Sequence, residues 1–374
     1  MAHPQPEPKL PAEPEELMNR TASQRWLLYG ANGYTGQLIA REAVRRGMRP
    51  ILAGRSKKRV LELATELGCP AAVFELSDHT SLLSSLEQVG AVLHCAGPFA
   101  ATAPSMMQAC LASHVHYLDI TGEIDVFELA RSVHDKACRS GIVLCPGVGF
   151  DVVPTDCVAL ALKSALPDAT HLALGFESRS GPSRGTIRTV LETAVHGSRL
   201  RREGRILEVP LGSQTRQIDF GAGEQLAVGL PWGDVSTAFY STGIGNIEVF
   251  TASGPKAAQR LRRANLLRPL LRLGWVQALL KFAATLRLQP PTQQQRDSHP
   301  SLVWGEVRNA AGAKVTARLR TANGYSFTVL SSLAILEEVL SNTYSPGFTT
   351  PGLLMGPNFA SLLPGSSDIE LQAS

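Results

Sequence analysis

No stretch of the chain reaches the roughly 20 consecutive apolar residues that a membrane-spanning helix needs. The six cysteines (Cys69, Cys95, Cys110, Cys138, Cys145 and Cys157) form no C-x-x-C pair and no ligand cluster with histidine. That excludes a zinc ribbon and a disulfide frame, and the thiols read as buried and reduced in an intracellular protein. A metal site is therefore not expected. Residues 1–23, rich in Pro and Glu, lack the apolar core of a secretory signal and read as a disordered tail. Charge of one sign is scarce: 36 Lys and Arg against 32 Asp and Glu leave a net +4, which names no partner. No tyrosine is followed four residues later by lysine, so the proton relay of short-chain dehydrogenases is absent.

What is present is globular: 374 residues, 44% hydrophobic and 18% charged, long enough for two domains with a sizeable core. The organising stretch runs from Arg25 to Ile39. A short apolar run ends in Gly30, Gly33 and Gly36, and a helical pattern follows. Strand, tight turn and helix in that order let a backbone approach a pyrophosphate and place its charge on the free amides of a helix start. Alone, three glycines so spaced also fit an ordinary strand–helix turn.

The pattern then repeats. Short buried runs at 50–54, 71–75, 91–96, 116–120 and 142–145 alternate with helical segments at about 33–47, 56–67, 81–86, 104–113 and 124–139. Alternation of this kind predicts an α/β, doubly wound parallel sheet of the Rossmann type. Ser56 and Asp78 are expected to cap helices. After the second strand comes Gly54-Arg55-Ser56-Lys57-Lys58-Arg59, with no acid until Glu62. NAD sites usually place a carboxylate there, whereas cations at a helix start oppose the helix dipole unless an anion joins them. NADP is thus the expected cofactor, its 2′-phosphate held by Arg55 and Ser56.

Beyond Cys145 a helix is expected through Leu166, a strand over 171–177, and a helix opening at Gly185-Thr186 and running to about Arg199. Extended segments follow at 206–209, 217–220, 236–240 and 247–251, then a hairpin of 302–308 and 314–321. These imply a second α+β domain with a mixed or antiparallel sheet. A helix over 325–340 is expected to return to the first domain. The expected division is 1–23 tail, 24–160 NADP-binding domain, 161–324 substrate domain, 325–363 returning helix and loop, and 364–374 disordered tail. Residues 256–288 carry eight cations and no acid among leucines, in helical pieces broken near Pro269 or Gly274. Two readings stay open: a peripheral contact with an anionic membrane or an acyl carrier, and plain packing on the sheet. Nucleic acid is not expected, because no aromatic platform accompanies the charge.

Five motifs together resemble one family. They are Tyr29–Gly36, Ala53–Ser56, Cys95–Phe99, Tyr117–Glu123 and Pro146–Asp156, and they are similar to the saccharopine dehydrogenase-like oxidoreductases. The branch they most resemble contains the trans-acting enoyl reductases. The resemblance implies that Gly30, Asn32, Gly33, Tyr34, Thr35 and Gly36 line the pyrophosphate. It implies that Arg55 and Ser56 hold the 2′-phosphate, and that Ala96, Gly97, Pro98 and Phe99 contact the cofactor. The candidates for chemistry at the carboxyl ends of the fifth and sixth strands are Asp119, Thr121, Glu123, Asp151, Thr155 and Asp156. Of these, Asp119, Glu123 and Asp151, with Thr186, are taken as catalytic. Each also has a structural reading as a buried acid or a cap. No Asp-Pro-Gly follows the sixth strand, which speaks against lysine biosynthesis. The expected function is NADP-dependent reduction of an activated, enoyl-type bond of an apolar or lipid-linked substrate. It is expected in the cytoplasm, with peripheral membrane contact and a homodimer as further expectations. The rival reading is an NADP-binding scaffold or sensor without turnover.

Overall fold

The computed structural model describes residues 24–178, 197–221, 223–271, 299–341 and 344–373. In the first half the apolar runs form strands β1 (Trp26–Tyr29), β2 (Ile51–Gly54), β3 (Ala71–Val73), β4 (Ala91–His94), β5 (His116–Asp119) and β6 (Val143–Cys145), of which β3, expected to be buried, is an edge strand with Ala71 and Val73 exposed. Every pairing among them is parallel. The order β6-β5-β4-β1-β2-β3 reverses direction at β1 and β4, which opens a crevice at their carboxyl ends. Helices α1 (Tyr34–Arg45), α2 (Lys57–Leu67), α3 (His79–Leu86), α4 (Phe99–Ser113), α5 (Ile124–Ser132) and α6 (His134–Ser140) cross between strands. Strands β1 and β4 are buried throughout, as a sheet covered on both faces demands.

A second sheet is mixed and curled. It contains β7 (His171–Glu177), β8 (Ser198–Arg202), β9 (Arg205–Val209), β10 (Thr215–Asp219), β11 (Glu224–Gly229), β12 (Asn246–Ala252), β13 (Ser301–Arg308) and β14 (Lys314–Thr321). Its main path is β10-β11-β12-β7-β13-β14, with the β8–β9 hairpin attached to β12. Helices α7 (Val153–Ala165) and α8 (Asp234–Thr242) pack together on one face of it. Helix α9 (Pro255–Leu271) follows β12, and α10 (Gly324–Ser341) returns to pack on α1 and β4. One continuous core joins both sheets, from Trp26 and Leu93 through Val153 and Val158 to Val303 and Leu333.

Several expectations change. Residues 236–240, read as extended, lie inside α8. The Ser and Thr hydroxyls there bond back along the helix, as Thr242 Oγ1 does to the Ala238 carbonyl at 2.5 Å, so packing overrides strand propensity. The helix expected through Arg199 has given way by Ser198, where β8 begins, while residues 179–196 lie outside the described set. Helix α4 starts at Phe99 rather than 104 and contains Pro104, because Glu123, in the turn after β5, caps it upstream of the proline. The expected helix over 124–139 divides at Val133.

Helix α9 runs through position 269 without the expected break there, and residues 272–298 are outside the described set. A two-residue strand, β15 (Gly347–Phe348), adds a seventh member beside β6. The expectation of a disordered tail at 364–374 does not hold, since β16 (Glu370–Ala373) pairs antiparallel with β14. The expected tail at 1–23 lies outside the described residues. No helix among the described residues is long and apolar enough to cross a membrane.

Candidate functional site

The β1–α1 turn is built on glycines whose missing side chains are occupied by backbone. Gly30 sits at φ +82°, and a Cβ there would lie 2.8 Å from the Ala96 amide nitrogen at the end of β4. A Cβ on Gly36 would lie 2.3 Å from the Gly30 carbonyl oxygen, so α1 can approach the turn only without one. Gly33 is the N-cap of α1, is exposed, and no side chain caps this helix. Tyr34 and Thr35 open α1 half-buried, and Asn32 places Oδ1 over Gly54 at the end of β2. An uncapped helix start behind such a turn has the amides and the dipole to receive a pyrophosphate.

Helix α2 starts the same way. Ser56 is its N-cap but makes no side-chain capping bond, and the first turn holds no acid. Arg55 is exposed and has no ion pair among the described residues. A guanidinium and an uncapped hydroxyl at one helix start suit a phosphate monoester. At the end of β4, Gly97 is exposed while Ala96 and Pro98 are half-buried. Phe99 differs: its ring is buried and meets His94 edge-on at 5.4 Å, so it faces the core rather than the rim. His94 is itself buried, bonded through Nε2 to Thr102 Oγ1 at 2.9 Å, and burial pushes its pKa down to about 3.

Of the residues taken as catalytic, Asp119, Glu123 and Asp151 differ in their hydrogen-bond partners. Asp119 is fully buried. Its Oδ2 accepts from Tyr117 Oη at 2.6 Å, and its Oδ1 from the amides of Thr121 and Gly147, each at 2.9 Å. It ties the ends of β5 and β6 together, and burial still pushes its pKa up to about 6. Glu123 is the acid that caps α4. Its two oxygens accept from the Phe99 and Ala100 amides at 2.9 and 2.7 Å. Thr186 lies outside the described residues.

Asp151 is the exception. It follows β6, is partly exposed, and its carboxylate has no hydrogen bond among the described residues. Burial first, and then the Glu123 charge, push its pKa up to about 7. The carboxylate hangs over Gly122, where a Cβ would meet its Oδ2 at 3.1 Å. A carboxyl that exchanges its proton near neutral pH, on the rim that also carries Gly30 and Gly97, can serve as a general acid or base. Asp156 instead accepts from Ser241 Oγ at 2.5 Å and from the Gly352 amide at 2.8 Å, deep in the core. Thr155 is also buried and donates to the Val152 carbonyl at 2.9 Å.

Two aromatic residues complete the site without a local sequence signal. Trp232 Nε1 donates to the Asp151 carbonyl at 2.7 Å and its ring lies 5.0 Å from Phe176, which meets Phe150 at 6.1 Å. Tyr325, at the start of α10, meets Tyr34 edge-on at 5.1 Å. Both arrive from more than 80 residues away in sequence, and only the packing of the second sheet on the first reveals them.

Comparison with known proteins bears on the domain and the fold. Residues 26–145 match the family model for the saccharopine dehydrogenase NADP binding domain. A saccharopine dehydrogenase-like oxidoreductase of Bos taurus is 26% identical over 214 residues, covering 50% of each chain. A protein of Mycobacterium tuberculosis named as a trans-acting enoyl reductase is 34% identical over 188 residues, covering 44% of this chain and 43% of its own. The chain spans about half the length of the curated relatives it matches. Among solved structures, the apo saccharopine dehydrogenase (L-Glu forming) of Saccharomyces cerevisiae superposes with a TM-score of 0.64 at 12% identity. That match covers 94% of this chain and 99% of the other, a likeness of fold.

Proposed function

We propose, from the match of residues 26–145 to the saccharopine dehydrogenase NADP binding domain, that this chain is an NADP-dependent reductase of an activated, enoyl-type bond in an apolar substrate. The observation that carries the reading is Asp151, a partly exposed residue at the crevice whose carboxylate makes no hydrogen bond among the described residues and whose pKa is pushed up to about 7. The coenzyme, when bound, supplies the hydride. The amides of Tyr34 and Thr35 and the glycines of the turn would hold its bridge, and Arg55 and Ser56 its extra phosphate. Asp151 gives its proton to the atom that gains charge as hydride reaches carbon, and takes it back from water between turnovers. Trp232, Phe150 and Phe176 stand beside Asp151 and exclude water from the reacting atoms. Their apolar surface supports a hydrocarbon-rich substrate, as does the name of the mycobacterial relative.

A scaffold that binds NADP without turnover is the rival. It is favoured by the engagement of Asp119 and Glu123 with backbone amides, which leaves Asp151 alone of the three with a carboxylate that makes no hydrogen bond among the described residues. Steady NADPH consumption with a panel of enoyl and imine compounds decides between them. The reductase predicts turnover with at least one member and its loss in Asp151→Asn, while the scaffold predicts tight NADPH binding with no consumption.

A further inference from the structure

The curled second sheet has a face turned away from α7 and α8, and its register explains a groove there. On three adjacent strands the side chains fall in rows: Asn246, His171 and Arg308; then Glu248, Ala173 and Glu306; then Phe250, Gly175 and Trp304. The middle strand carries small residues in the second and third rows, so a trough runs along it between taller neighbours. Strand β10 arches over one end. A Cβ on Gly175 would lie 3.3 Å from the Phe220 ring and 3.5 Å from Ile218.

Side chains hold β10 across the face. Arg216 reaches Glu306 at 2.5 Å and lies 4.9 Å from the Trp304 ring centre, Gln214 reaches Glu248 at 2.8 Å, and Arg318 of β14 reaches Asp219 at 3.0 Å. The result is a half-closed barrel plugged by Ile218, Phe220, Phe250 and Trp304. Its mouth is a groove of about 670 Å³, within the range of small-molecule sites.

The charges in that mouth do not balance. Glu248 is committed to Arg202 and Gln214, and Glu306 to Arg216 and Lys314. Arg308, in the first row, is exposed and has no ion pair among the described residues. His171 stands between Arg308 and Asn246, with Thr170 Oγ1 3.0 Å from its Nδ1. Partial burial and the nearby charges of Arg308 and Arg202 hold its pKa below the usual range, against the opposing pull of Glu248. Positive charge has thus gathered at a concave mouth where the acids are already taken.

We propose that this mouth is a second ligand site, which takes a small oxyanion, a phosphate or carboxylate group, on the Arg308 guanidinium with His171 and Arg202 beside it. A guanidinium fork binds either group bidentately. The site lies on the face of the second sheet remote from the glycine turn and is independent of the reductase reading.

The test follows the His171 imidazole resonance in the full-length protein, assigned with His171→Gln. It is titrated with inorganic phosphate and with succinate, against sodium chloride at matched ionic strength. The expected result is a saturable shift with one or both anions and a rise of about one unit in the His171 pKa. In Arg308→Ala binding should weaken about tenfold, in line with loss of a charge-assisted contact, while NADPH affinity stays unchanged. Tighter binding of phosphate assigns a phosphate-bearing ligand, and tighter binding of succinate a carboxylate. Shifts no larger than those with chloride overturn the proposal, as does an Arg308→Ala protein that titrates like the wild type. If Arg308→Ala misfolds, the comparison with chloride in the wild type decides alone.

Discussion

Asp151, Asp119 and Glu123 are three acids at neighbouring strand ends, and of the three only the Asp151 carboxylate makes no hydrogen bond among the described residues. Asp151→Asn should lower kcat by about 10²–10⁴-fold, the usual worth of a positioned acid, with little change in NADPH affinity. As a proton donor Asp151 must be protonated, so turnover should fall as pH rises through about 7 in the wild type. The same raised pKa has a stability consequence of definite sign. Between the ordinary value near 4 and about 7 the folded state holds a proton that the unfolded chain releases, so stability falls as pH rises across that window. Asp151→Asn should therefore melt above the wild type at pH 8 and match it at pH 4, as scanning calorimetry would show. Asp119→Ala is expected to behave differently, stranding the Tyr117 hydroxyl and two amides in the core. Each stranded donor costs about 1–3 kcal/mol, a loss that chemical denaturation would detect. The sequence placed all three acids at strand ends. It could not separate them, because their partners at Phe99, Ala100, Gly147 and Trp232 are set by tertiary packing.

At the scale of elements, the first half was legible because each buried strand and each amphipathic helix keeps its own period over a short, uninterrupted run. The second half was less so. Helix α8 is rich in Ser, Thr and aromatic residues that locally favour strand, and only contact with α7 and the Arg201 guanidinium, stacked 4.2 Å from Phe239, makes it a helix. Strands β15 and β16 are too short or too exposed to leave a pattern. The glycine turn carries an element-scale prediction. Gly36→Ala would set a methyl 2.3 Å from the Gly30 carbonyl oxygen, so α1 must shift away. NADPH binding, followed by coenzyme fluorescence, should fall by at least about tenfold, while far-ultraviolet circular dichroism stays near native.

Across the whole molecule, the two sheets are joined by more than the shared apolar core. Glu128 of α5 accepts from Arg201, Ser236 and Tyr240 of the second sheet's elements at 3.0, 2.6 and 2.8 Å. The Trp232 indole bonds the Asp151 turn directly. This coupling makes the position of the aromatic wall depend on the second sheet, so Glu128→Ala is expected to raise KM for the substrate more than it alters NADPH affinity. Truncating Glu128 leaves the buried Arg201 without its carboxylate, and thermal stability should fall with it.

On the proposed reading, the amino-terminal sheet receives a coenzyme with a third phosphate, which Arg55 holds. Titration calorimetry of the full-length protein with NADPH and NADH tests it most directly, with Arg55→Asp alongside. One NADPH should bind per chain, NADH should bind much more weakly, and Arg55→Asp should lose the preference. Binding of neither coenzyme, or an unchanged preference in Arg55→Asp, would contradict it.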